Sequence, residues 1–241
     1  MVWWIIATVL AYFVKGVCGM GNTLVFTSVL SFANSNVNIS PVELLLGYPA
    51  NCILVWKERR HIRLRICLPV IILVILGSLP GIFLLKNVDV SAIKIVFGFV
   101  ILFVGVQMLL AEYGKARKKT SKVGVAIIGI LSGILCGLYG IGALLGAYMH
   151  QVTEDSHSFK GNFCMVFFAE NTFRIIVYAL MGILTWESVK SFLILVPLML
   201  IGLGLGMLST KFMNEKLLKK CIIIMLMGSV GTRFTTFLPS K

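Results

Sequence analysis

Apolar residues are gathered into eight blocks, Val2–Phe13, Leu44–Trp56, Leu68–Leu85, Ile95–Ala111, Val123–Leu138, Phe163–Ile183, Phe192–Leu208 and Cys221–Val230, with the charges collected between them. A helix that spans a bilayer needs about 20 mostly apolar residues, and several blocks reach that length with their uncharged flanks. The pattern predicts an all-α integral membrane protein. Two stretches fit less simply. Val2–Ala33, with Lys15 its sole charge, and Val123–Met149 are each long for one crossing and short for two. Each is either one broken helix that crosses, which gives parallel halves and eight crossings, or a re-entrant hairpin of two half-helices, which gives inverted halves and six.

The same two stretches carry matching strings. Gly16-Val17-Cys18-Gly19-Met20-Gly21 and Gly137-Leu138-Tyr139-Gly140-Ile141-Gly142 both read G-x-x-G-x-G. Each is followed by an asparagine in an apolar run, Asn51 and Asn171. Next comes a glycine-spaced segment, Gly77-Ser78-Leu79-Pro80-Gly81 against Gly202-Leu203-Gly204-Leu205-Gly206, and then Gly105 against Gly231. Four landmarks recur in order at offsets of 120 to 126 residues. This is the mark of a duplicated unit, with repeats over 1–112 and 123–233 and a basic linker at 113–122. The glycine string also resembles a dinucleotide-binding fingerprint, but that signature needs a preceding strand and a βαβ unit. Here it interrupts membrane-depth helix. Small residues permit close helix packing; paired breaks at corresponding places also point to a transporter's binding site.

Composition sharpens the picture. The chain is 59% apolar with a mean hydropathy of +0.99, above the 45–50% usual for soluble domains. Its net charge of +13 does not indicate nucleic-acid binding, because the basic residues sit in short loops at span ends. The loops 57–65 and 111–122 each hold five Lys or Arg and are expected in the cytoplasm. A third basic loop, 209–220, falls inside in the hairpin alternative and outside in the other, which favours the hairpins. The six cysteines lie in or beside apolar blocks without a CxxC pair, so neither a disulfide framework nor a zinc site is expected. Cys18 and Cys136 read as small packing residues. No basic region precedes the first apolar stretch, so no cleaved signal peptide is read.

Few charges interrupt the apolar blocks: Lys15, Glu43, Glu170 and Arg174. A charge at the centre of a membrane helix costs at least about 2.5–3.5 kcal/mol on insertion scales, so each is a functional candidate. Glu170 and Arg174 share a helix face and can pair. Glu43 follows Pro41 at a helix start, where an acid suits the helix dipole, and reads as structural. Asn51 and Asn171 offer hydrogen-bonding groups from both halves. His61, His150 and His157 are expected in loops, so no convergent catalytic or metal set is read.

Gly16–Gly21 with its apolar run, Pro41-Val42-Glu43 leading a helix, the basic loop after Trp56, and the second copy from Ser132-Gly133 through Gly142 to Asn171 resemble the TauE/SafE sulfite exporter family. Asn22 and Ala143 stand where that family tends to continue its glycine run. The resemblance implies a multi-pass cell-membrane protein that moves small anions such as sulfite or organosulfonates. No enzyme activity, cofactor or nucleic-acid partner is expected, and the oligomeric state is left open. The helix restarts near Asn22 and Ala143 would bring two positive N-terminal ends together. The expected substrate shell is Lys15, Gly16, Gly19, Gly21, Asn22, Asn51, Gly137, Gly140, Gly142, Asn171 and Arg174, with Glu170 as the coupling candidate. An anion channel or a membrane scaffold is the alternative.

Overall fold

The computed structural model describes residues 2–31, 39–87, 122–140 and 142–212. The apolar blocks at 95–111 and 221–230, nearly all of the 113–122 linker, residues 213–220, and Gly105 and Gly231 lie outside the described residues. Among the described residues all regular structure is helical: α1 (Val2–Cys18), α2 (Asn22–Ser31), α3 (Ile39–Glu58), a 3-10 turn (Arg59–His61), α4 (Leu64–Asn87), α5 (Lys122–Tyr139), α6 (Ala143–Val152), α7 (Ser156–Leu180) and α8 (Trp186–Ser209). Four of these helical stretches, Ile39–His61, Leu64–Phe83, Ser156–Leu180 and Trp186–Ser209, are long and apolar enough to cross a membrane. The chain is an all-α membrane protein.

The distribution of side chains follows from a lipid solvent. Leu64, Leu68, Ile72 and Leu76 make an exposed stripe at helical spacing on α4, and Leu193, Leu200, Ile201, Leu205 and Leu208 do the same on α8. The buried set contains Lys15, Asn22, Glu43, Asn51, Glu170, Asn171 and Arg174. Apolar outside and ionisable inside is what a bilayer imposes, since charged groups there face the bundle interior. Hydroxyls within helices turn back on their own backbone, as Thr8 to Trp4 O at 2.7 Å and Thr172 to Phe168 O at 2.7 Å, so they enter apolar surroundings already bonded.

Contacts set the helix directions. Ser40 reaches Tyr178 at one end of α3, Tyr48 meets Thr172 in the middle, and Glu58 meets His157 at the other end; α3 and α7 are therefore antiparallel at the centre. Asn162 fastens the second end. Its Oδ1 accepts from the Arg63 N–H at 2.8 Å, and its Nδ2 donates to His61 O at 3.3 Å and Ser158 O at 2.6 Å. Asp155 caps α7 there, accepting from the Ser158 N–H at 2.8 Å and Oγ at 2.7 Å. Partial burial pushes the Asp155 carboxyl up, but these bonds outweigh it and hold it below the ordinary range, so the cap persists well into acid.

Glycines seat the outer helices. A Cβ on Gly133 of α5 would fall within 3.0 Å of Val74 O and of the Gly77 Cα in α4, and one on Gly81 would lie 2.5 Å from Ile134 O. On the other side, a Cβ on Gly16 of α1 would lie 2.6 Å from Leu203 O and 2.9 Å from the Gly206 Cα in α8, and one on Gly202 would lie 2.6 Å from Val9 O. Residue numbers rise together along both seams, so α5 runs parallel to α4 and α1 parallel to α8. Since α4 leaves the end where α3 stops, α5 enters from that end. It breaks at Gly140–Gly142, and α6 returns to Asp155 beside the same end. The α1–α2 pair is the counterpart. α1 runs with α8 toward that end and breaks near Lys160, and α2 turns back toward Glu43, in the first turns of α3.

The seams predict a sharp contrast between a glycine that packs and one that does not. Gly133→Leu places a side chain inside the α4 backbone and exceeds the 1–3 kcal/mol typical of overpacking. Gly204→Leu has nothing within 4 Å to strike. The first is expected to lose monodisperse protein in detergent and the second to keep the parental melting temperature; equal behaviour of the two would remove the seam.

Candidate functional site

Both breaks are built alike. α1 closes with the Gly19 N–H on Lys15 O at 2.7 Å, and α5 with the Gly140 N–H on Cys136 O at 2.8 Å. Gly19, Gly21 and Gly140 have φ of 79°, 89° and 68°, a left-handed backbone that side chains with a Cβ rarely adopt. α2 then restarts at Asn22 and α6 at Ala143, the points expected from the sequence. The first N–H groups of a helix have no partner within it, and the two restarts face a shared cavity.

That cavity has room for little more than one water molecule. Of the expected shell, Lys15, Gly21, Asn22, Asn51, Gly140, Gly142, Asn171 and Arg174 line it. Three expected residues do not. Gly16 and Gly137 serve the helix seams; a Cβ on Gly137 would lie 2.5 Å from Ser78 O. Gly19 abuts the Lys160 stem, its Cβ position 2.7 Å from Lys160 Cγ. One glycine string therefore does two jobs, its first residue packing and its last opening the cavity. Glu170 stands behind Arg174, with Nε 3.7 Å from Oε1.

The charge arrangement corrects the expectation of a purely positive centre. Glu43 belongs to the cavity rather than to the helix dipole alone. Its Oε1 accepts from Asn22 Nδ2 at 2.6 Å and from Thr23 Oγ1 at 2.7 Å, and Lys15 Nζ donates to Asn22 Oδ1 at 3.0 Å. A carboxylate thus already occupies the start of α2. Its Oε2 and the Arg174 guanidinium both border Gly140, 3.1 and 3.2 Å from that residue's Cβ position. Arg174 also donates to Cys136 O through Nη1, and the one proton of Thr23 Oγ1 is shared between Glu43 Oε1 and Gly140 O, the latter 3.1 Å away, tying one break to the other. With all four groups ionised, two acids balance two bases. At the start of α6 the surroundings differ: Phe163 and Phe167 form the wall, their rings 4.7 Å apart.

Among the described residues, several buried polar atoms here have no hydrogen-bond partner: both amide atoms of Asn51, Oδ1 of Asn171, Nε of Arg174 and both carboxylate oxygens of Glu170. Native proteins satisfy the great majority of such groups with protein or ordered water. Elsewhere the histidines depart from expectation. His150 lies in α6, His157 in the first turn of α7 and His61 in the 3-10 turn; the polar segments around them are short enough to be taken up by helix ends.

A family model for the sulfite exporter TauE/SafE matches residues 4–233. The chain belongs to this family. TauE/SafE proteins are membrane exporters of sulfite and related anions, and transporters rather than enzymes, so the activity that the family brings is movement of a small anion across a membrane. Comparison with curated proteins and with solved structures returned no match.

The Glu170–Arg174 geometry predicts energetic coupling. Arg174→Ala leaves the buried Glu170 carboxylate without its counter-charge, a cost of about 3–5 kcal/mol for a broken buried pair. In a Glu170→Gln background the same substitution is expected to cost much less, and a double-mutant cycle on thermal stability reads the difference. Additive losses would mean that the pair contributes nothing.

Proposed function

We propose that this TauE/SafE protein is a secondary transporter that exports small oxyanions of the sulfite and organosulfonate class, with the substrate held between the two glycine breaks. The observation that carries the reading is the pair of unpartnered donors among the described residues, Asn51 Nδ2 and Arg174 Nε, on side chains that line the cavity with the restarts of α2 and α6. A tetrahedral or pyramidal oxyanion accepts several N–H bonds at once, which suits the free donors and partial positive charge of a helix start.

The two restarts play unequal parts in this proposal. Glu43 sits at α2 as a built-in anion. At the 120-residue offset that relates Asn51 to Asn171, its counterpart is Phe163, which leaves the α6 end without an acid. The cavity, little larger than one water, has to widen to admit the substrate, which then seats at α6, within reach of Asn51, Asn171 and Arg174, and competes with Glu43 for the cationic groups. Neutralising either acid by a proton leaves the centre with a net positive charge, which couples anion occupancy to protonation. A channel offers no reason for this internal competitor, and a scaffold none for the orphaned amides.

The repeats at 1–112 and 123–233 are read as inverted copies, with the α1–α2 and α5–α6 pairs as re-entrant hairpins entering from opposite membrane faces. The end that carries loop 57–65 faces the cytoplasm. In a protein stripped of native cysteines, Arg60→Cys is then expected to resist a membrane-impermeant maleimide in intact cells while Glu187→Cys reacts. The reverse pattern would invert the orientation.

Flux tests the site. Proteoliposomes loaded with sulfite, sulfoacetate, sulfate or chloride should release one or both of the first two through the parental protein. Asn51→Leu replaces an unpaired amide by an apolar side chain of similar size, which for a structural residue is neutral or stabilising. It is expected to keep the melting temperature and cut flux at least tenfold. Gly142→Val, whose Cβ would enter the Phe167 ring, should reduce flux to background. Parental flux from both well-folded variants would end the site assignment.

A further inference from the structure

At the end where α3 stops, Glu58 and His61, three residues apart, meet His157 from the far half of the sequence, outside the cavity. Glu58, in the last turn of α3, is buried at 4% exposure. His157 Nδ1 lies 2.9 Å from its Oε2, and His61 Nδ1 lies 3.6 Å from the same oxygen. The imidazole rings are 5.3 Å apart and tilted by 30°, and one ligand atom from each residue falls within 4.8 Å of the other two. We propose that Glu58, His61 and His157 form a divalent transition-metal site of the zinc class that staples the end of α3 to the start of α7.

The donor set is right for such an ion. Two imidazoles and a carboxylate are a recurrent three-ligand zinc set that leaves a fourth position for water. Zinc bonds of about 2.0–2.1 Å place tetrahedral ligand atoms about 3.3 Å apart, and the two measured nitrogen–oxygen separations fall on either side of that value. Both rings address one carboxylate oxygen through Nδ1, so a metal bound there replaces these contacts. Binding requires the Nδ1 lone pair of each imidazole, and any proton on that atom is released or moved to the other ring nitrogen.

The ligands stand on backbone that is already fixed. Asn162 holds the 3-10 turn through His61 O, and Asp155 caps the turn that carries His157. Arg59 and Arg63 are engaged elsewhere, while Lys160 keeps its charge within electrostatic reach of Glu58. Arg59 lies over the Trp56 ring with its guanidinium carbon 4.6 Å from the ring centroid, Arg63 reaches Glu154 at 3.7 Å, and the Lys160 stem is turned against Gly19. The histidine side chains are about half exposed, at 48% and 59%, which gives a metal a path in. An ion there ties together the two helices that bring Glu43, Asn51, Asn171 and Arg174 to the cavity. The site stands whether or not the transport reading does.

Zinc binding to the purified, tag-free full chain in detergent tests this by calorimetry, with Co²⁺ as a spectroscopic probe. The parental protein should bind one Zn²⁺ per chain. His61→Ala and His157→Ala should each weaken binding at least tenfold, and the pair together should abolish it. Both side chains are half exposed, so the variants should keep the metal-free melting temperature, and zinc should raise that temperature in the parent alone. Co²⁺ should give the visible bands of a tetrahedral nitrogen and oxygen site. Absence of binding, parental affinity in both variants, or a near-ultraviolet thiolate band pointing to the cysteines would each overturn the proposal.

Discussion

Backbone that leaves a helix inside a bilayer has no water to bond to, so its N–H and C=O groups must be met by protein or by something the protein admits. The two glycine breaks are governed by that constraint. Left-handed glycines end α1 and α5 cleanly. Thr23 and Arg174 reach carbonyls at the second break, on Gly140 and Cys136, and the restarts open on shared space rather than on lipid. The remaining architecture holds these breaks at depth. Antiparallel α3 and α7 bring polar side chains to them from both ends, while α4 and α8 provide the surfaces on which the broken helices lie.

The ionisable residues around the breaks depend on one another in sequence. Lys15 bonds Asn22, Asn22 bonds Glu43, Glu43 and Arg174 border the same glycine, and Arg174 faces Glu170. Each member is tolerable in an apolar interior because the next one is there. With every member ionised such a chain is balanced, and adding or removing one charge disturbs every link.

Much of this was legible in the amino-acid pattern. Lys15, Glu170 and Arg174 stand out because charge is rare in apolar runs, and Asn51, Asn171 and the restarts at Asn22 and Ala143 stand out because the pattern occurs twice. Glu43 was misread for a local reason. An acid just after Pro41 is fully explained by a helix start, and nothing nearby in sequence signals that α2 folds back to lay Asn22 and Thr23 on it. Gly16 and Gly137 were misplaced because packing and breaking call for the same residue. The Glu58–His61–His157 cluster needs the antiparallel register of α3 on α7, and Asn162, which fastens that register, sits in the sequence as one more polar residue near a loop.

The glycine seams carry a consequence for movement. The helix that grips α1 is α8, from the far end of the chain, and the helix that grips α5 is α4, from the near end. The two halves of the polypeptide are therefore interlocked, each holding the other's broken helix by backbone contact that permits no gap. Rocking one half against the other would tear both seams at once. Any alternation of the cavity between two openings has to partition the molecule differently, with α1 and α8 travelling as one body and α4 and α5 as the other, and with the shear taken up along α3 and α7.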